Sequence, residues 1–217
     1  MTSKEIEKFI KKNLIGQVGN DLKQKGAYIL RYPVKDIVGG FCFERSASDK
    51  SSIYIWWFVQ PLFIPGSMIY LTFGNRLEKS YRNQSWDNLD SAETTEKIKE
   101  IIKKNMPLIE SLLEPVSFYN YYRHSFENLR IYEALIYTSI WIKSPNWKQE
   151  IQNFIRYIDN NSDTGISWIR QMREEMMVIK VSANPQNVLV SNKENLINLL
   201  SYRLSFGAMS KNFRVKN

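Results

Sequence analysis

The stretch Ile53–Leu77, IYIWWFVQPLFIPGSMIYLTFGNRL, decides the reading of the fold. Aromatic and β-branched residues crowd into two runs, Ile53–Val59 and Met68–Phe73, and Pro61, Pro65 and Gly66 separate them. Proline removes a ladder donor and glycine tolerates positive φ, so the pattern predicts strand, turn, strand. Trp56 and Trp57 are neighbours in the first run and must point to opposite faces of the sheet. The stretch marks a packed sheet but no chemistry. It holds no acid, no His and no Cys, and Arg76 is its only charge.

Toward the N-terminus, Ser46–Ser52 is polar and turn-like. Ile37–Arg45 and Ala27–Tyr32 read as two strands joined around Pro33, and Gly39-Gly40 predicts a bulge or a close backbone approach. From Thr2 to about Lys25 the chain reads as a helix. Thr2 and Glu5 have capping-box spacing, and Ile6, Phe9, Ile10, Leu14, Val18 and Leu22 follow at helical intervals up to a stop at Gly26. Residues 1–90 are therefore expected to form one helix and a meander of about four antiparallel strands.

Toward the C-terminus, Glu78–Asp90 is a polar excursion carrying Trp86, and residues 91–217 become helical. Ile98, Ile101, Ile102, Met106, Ile109, Leu112 and Leu113 make one stripe, with Pro107 as a candidate kink and Pro115 as its end. A short helix or turn covers Tyr119–His124. Asn128–Trp141 is apolar on nearly all faces and reads as the buried central helix. Asn146 is expected to cap the next helix, and Thr164–Val181 follows as another. Pro185–Val190 reads as a loop or short strand, before a second capping box at Ser191 and Glu194 opens a last helix. Gly207 is expected to close it, leaving Lys211–Asn217 frayed. The fold class is α+β, with the helical half packed on the sheet.

At 217 residues, 43% hydrophobic and 24% charged, the composition is that of a globular protein able to bury a core. No apolar run reaches the length of a membrane span, and MTSKEIEKFIKK lacks the apolar region of a secretory signal. Cys42 is the only cysteine, which forbids an intrachain disulfide and fits a reducing, cytoplasmic compartment. Richness in Lys, Asn and Ile points to a bacterium. The net charge of +8 favours anionic partners, but it is spread over the chain. Residues 1–25 carry six Lys against three acids, and residues 193–217 carry five Lys or Arg against one acid, so the basic termini are where nucleic acid would bind.

The residue inventory excludes several chemistries. His124 is the sole histidine, which rules out two-His zinc sites and facial triads. Cys42 lies in FCFER between Phe41 and Phe43, where apolar burial makes a thiol inert. Phosphate loops and nucleophile elbows are absent. Glu96-Lys97-Ile98-Lys99 sits on an amphipathic helix rather than after a strand, and Glu174 and Glu175 diverge around theirs. No cofactor or metal is implied. What remains is the segment Phe118–Tyr137, rich in Tyr with interleaved Arg, the residue types enriched at binding hot spots. Tyr121, Tyr122, Arg123, His124 and Arg130 are the candidate partner-binding residues, placed where the chain turns into the central helix.

FVQPLFIP followed by LTFGNRL resembles uncharacterised small α+β bacterial proteins in which a strand ending in FVQPL leads through prolines into a second ending in FG-R. The likeness centres on Val59–Leu77, within about 25 of the 217 residues. Some comparable domains are associated with toxin–immunity or other conflict systems. The resemblance implies a protein-interaction role with a toxin or defence effector as partner. The expected function is a non-catalytic protein-binding module, in its most concrete form a bacterial immunity or defence-accessory protein. The alternative is a basic nucleic-acid-binding accessory protein. The third is an enzyme whose site rests on Asp, Glu, Lys, Tyr or Arg.

Overall fold

β3 (Ile37–Arg45) and β4 (Ile53–Pro61) form the centre of the sheet in the computed structural model, which describes residues 1–81, 83–125, 128–162 and 165–203. The two strands pair antiparallel along their whole length, from Ile37 opposite Pro61 to Arg45 opposite Ile53. β2 (Tyr28–Arg31) and then β1 (Leu22–Lys25) extend the sheet on one side. β5 (Gly74–Arg76) and β6 (Ser85–Trp86) both pair with β4 on the other.

The sheet thus has six strands rather than about four, and both additions are edge strands. Helix α1 (Ser3–Asn13) starts with the expected capping box but does not continue to Lys25. Gly16 adopts a φ of +81°, the chain turns, and Leu22–Lys25 becomes β1. Its apolar residues Leu14, Val18 and Leu22 are buried as a helix would bury them, so periodicity could not reveal the change. β6 is only two residues long and is held by Trp86, whose buried indole Nε1 donates to the Leu77 carbonyl at 3.0 Å.

The second strand of the opening stretch also shifts. Met68–Phe73 is not a strand; Leu71–Phe73 is a turn of 3-10 helix, and pairing with β4 begins at Gly74. Two features explain this. The buried Gln60 side chain occupies the backbone of the loop, accepting from Tyr70 N at 2.5 Å and donating to Met68 O at 3.2 Å. Gly74 then lies so close to β4 that a Cβ there would stand 1.9 Å from the Trp57 carbonyl oxygen.

The two sheet faces bury different things. Phe41, Phe43, Ile55, Trp57 and Val59 join a large core with α1 and the following helices. Leu30, Val38, Cys42 and Phe58 face the other way and meet Leu196, Ile197 and Leu200. Trp56 and Trp57 do point apart: Trp57 is buried in the first core and Trp56 is half-buried beside the second. Helix α2 (Ala92–Leu112) crosses the first face and runs through Pro107. Its approach depends on Gly39, where a Cβ would lie 2.8 Å from Leu113 Cδ2 and 2.9 Å from Ile109 Cγ2.

Pro115 does more than end α2. It occupies the first turn of α3 (Pro115–Tyr122), where a missing N–H costs nothing. Asn128 caps α4 (Leu129–Trp141), its Oδ1 accepting from the amides of Arg130 and Ile131 at 3.0 and 3.3 Å. α4 is buried around most of its circumference, as its composition predicts. α5 (Trp147–Asn161) and α6 (Ser167–Val181) follow. Pro185–Val190 is neither loop nor strand: it opens α7 (Pro185–Arg203), and Ser191 and Glu194 lie inside that helix rather than at a cap. A proline in the first turn suits a helix start, and this outweighed the capping-box spacing further on. The expected stop at Gly207 and the tail Lys211–Asn217 lie outside the described residues. No described helix is long and apolar enough to cross a membrane.

Candidate functional site

The Asn128 cap sets the first turn of α4, and the helical repeat then places Arg130 and Glu133 one above the other. Helix α6 brings Trp168, Met172 and Glu175 to the same place, at spacings that share one face. The loop pinned by Gln60 supplies Gly66 and Tyr70. Together these elements line an open-sided cavity of about 310 Å³. Its lining mixes the aromatic Tyr70 and Trp168 with the polar Ser67, Arg130, Glu133, Gln171 and Glu175, and Trp168 is 41% exposed.

Inside, the Arg130 Nη1 donates to Glu133 Oε2 at 2.9 Å. The guanidinium carbon stands 5.6 Å from the Tyr70 ring centroid and 5.2 Å from that of Trp168, within cation–π range of both. Glu133 is only 2% exposed, and its second oxygen, Oε1, is buried without a hydrogen-bond donor. Burial pushes its carboxyl up to about 7; Arg130 opposes the shift and Glu175 adds to it. A buried acceptor left unpaired is costly and uncommon in native proteins. Near neutral pH this group can accept a hydrogen bond as the carboxylate or donate one as the acid.

The five residues expected to bind a partner do not form one surface. Tyr121, at 48%, and Arg123 and His124 are exposed at the end of α3, where Arg123 Nε donates to His124 Nε2 at 3.2 Å. Tyr122 is core. It is 6% exposed, its ring packs against Phe73 and Phe118, and burial raises its hydroxyl well above the usual phenol range. The reason is helical geometry: Tyr122 lies one turn beyond the buried Phe118 and shares its face. Arg130 belongs to the cavity. Phe126 and Glu127, between the two groups, lie outside the described residues.

Tyr70, Glu133 and Trp168 are not singled out by the sequence, and Glu175 enters there only as half of the diverging pair with Glu174. One signal was present: Glu133 is the only acid in Leu129–Trp141, and Arg130 precedes it by three residues. Cys42 matches its expectation, being 7% exposed with its thiol pushed up to about 12 by burial. Of the basic termini, Lys4, Lys8, Lys11 and Lys12 are exposed on α1, whereas Lys193 pairs with Asp36 at 2.7 Å. Lys211, Arg214 and Lys216 lie outside the described residues. Among the described residues no three His, Cys, Asp or Glu side chains gather as metal ligands. Compared with known proteins, the chain matches no family model, no curated protein and no solved structure.

Proposed function

We propose that this chain is a non-catalytic protein-binding module whose recognition centre is the cavity between α4, α6 and the Gly66–Tyr70 loop. One observation carries the reading: the cavity joins the exposed Trp168 indole to a buried carboxylate, Glu133, one of whose oxygens lacks a donor. Exposed apolar and aromatic side chains around a pocket are what an interface buries, and Trp, Tyr and Arg dominate binding hot spots. The partner is another protein. Its identification as a toxin or defence effector, and of this chain as a bacterial immunity or defence-accessory protein, rests on the FVQPL…LTFG resemblance alone.

A photo-cross-linking residue in place of Trp168, expressed in the organism that encodes the chain, tests this reading. A discrete protein adduct from that position, absent from a control at the exposed Lys8 on α1, is the expected result. No adduct, or the same adducts from both positions, would overturn it.

A further inference from the structure

We infer that the cavity at Glu133 is a site for a single cationic group, a guanidinium or primary ammonium, which donates a hydrogen bond to Glu133. The inference rests on the reading of this cavity as the recognition centre and names the chemistry of what it recognises.

Three features point the same way. Glu133 Oε1 accepts nothing from the protein, although Ser67, Tyr70, Arg130 and Gln171 also line the cavity, so a buried acceptor there is left for a ligand's donor. The lining charges invert the character of the chain. Two carboxyl groups, Glu133 and Glu175, face one guanidinium, Arg130, so this cavity becomes negative as Glu133 ionises above about pH 7, in a protein of net charge +8. The walls are Tyr70 and Trp168, which already hold one cation between them and suit the edge or stem of a second. An anion would meet two like charges, and a neutral apolar group would leave Oε1 unpaired. At about 310 Å³ the cavity is at the lower end of the range for ligand pockets, roughly 300–1,000 Å³, and suits one side-chain head with its stem rather than a large ligand.

Proton linkage follows from the same geometry. The groups facing Glu133 are Arg130 and Tyr137 from α4, Glu175 from α6 and, across the cavity, Tyr70 from the loop. A bound cation favours the carboxylate, so binding expels a proton wherever Glu133 is protonated. With that carboxyl near 7, affinity should rise about tenfold between pH 6 and pH 8.

The same cation could arrive as a basic side chain of a polypeptide or as a small free amine. Titration with N-acetyl-arginine methylamide, N-acetyl-lysine methylamide, methylguanidinium and spermidine separates the two sources. N-acetyl-glutamine methylamide and sodium chloride serve as controls. The readout is the Trp168 indole N–H resonance, assigned by its loss in Trp168→Phe. A saturable shift with the cations alone is expected, together with the pH dependence. Glu133→Gln should weaken binding at least about tenfold and abolish that dependence. If Glu133→Gln fails to fold, Glu175→Gln, at a half-buried position, should still weaken binding while keeping the pH dependence. Tighter binding of the capped amino acids identifies a polypeptide source, and tighter binding of methylguanidinium or spermidine a free one. Shifts matched by the neutral probe or by salt, or affinity unchanged in Glu133→Gln and Glu175→Gln, would overturn the inference. A cross-linked partner without cation binding would sink this inference and leave the protein-binding reading standing. Cation binding without a cross-linked partner would do the reverse.

Discussion

Arg130 and Arg76 are built alike and behave differently. Each guanidinium stands between a glutamate and two aromatic rings. Arg76 lies 3.9 Å from the Tyr54 ring centroid and 4.7 Å from that of Trp56, and 3.8 Å from Glu44 Oε2. The carboxylates differ most: Glu44 is 45% exposed and Glu133 only 2%. Glu44 also accepts from Trp56 Nε1 at 2.9 Å, whereas Glu133 keeps one oxygen without a donor. In the sheet cluster the unpaired buried atom is a donor, Arg76 Nε; in the helical cluster it is an acceptor. The same residue types thus make a surface ion pair in one place and a buried, titrating site in the other. Burial of the carboxylate, rather than the list of contacts, makes the difference.

The largest expected effect separates the two arginines. Arg130→Met strands a buried carboxylate and should cost about 3–5 kcal/mol at pH 8 in urea unfolding, shrinking at pH 5 where Glu133 is protonated. Arg76→Met loses a partly exposed pair and should cost about 1 kcal/mol. Equal losses would break the comparison.

The next effect is the pH dependence of stability in the unsubstituted protein. Glu133 has its folded value raised from 4.5 to about 7, so its contribution is fully present below 4.5 and is lost as pH rises through 7. Unfolding free energy should fall by about 3 kcal/mol across that window from this group. Subtracting the profile of Glu133→Gln should remove the fall; Glu44→Gln should retain it.

Smaller effects sharpen the contrast. Cys42, packed on the same sheet face as the Arg76 cluster, tests how dry that face is. Cys42→Ala should cost about 1–2 kcal/mol, and the native thiol should react slowly with a thiol reagent, since burial holds it near 12. Trp56→Phe removes the donor to Glu44 and should cost about 1 kcal/mol. Trp168→Phe, at the exposed rim, should change the melting temperature least, with a loss within about 0.5 kcal/mol.

Legibility in the sequence followed the range of the forces involved. β3 and β4 were readable because runs of aromatic and β-branched residues bounded by turn residues are local signals. α4 was readable because its composition leaves it no polar face. β1 was not, because Leu14, Val18 and Leu22 satisfy a helical repeat although the helix ends at Asn13. The Tyr–Arg segment at the end of α3 was visible, yet Tyr122 turned inward because Phe118 below it anchors that face. Arg130 was singled out, but with the wrong neighbours. Its companions Tyr70 and Trp168 are distant in the chain, and no spacing rule connects them.

The sequence by itself determined the α+β class, the central strand pair, the opposed directions of Trp56 and Trp57, and the inert setting of Cys42. Each follows from a repeat, or from flanking residues a few positions away. Only the tertiary structure decided that Gln60 takes the place of a ladder partner for the loop after β4. It alone brought that loop, the first turn of α4 and the face of α6 around one carboxylate. The physical reason is that desolvation is collective. Glu133 is half-titrated near neutrality because segments far apart in sequence exclude water from it together, and no local pattern records that.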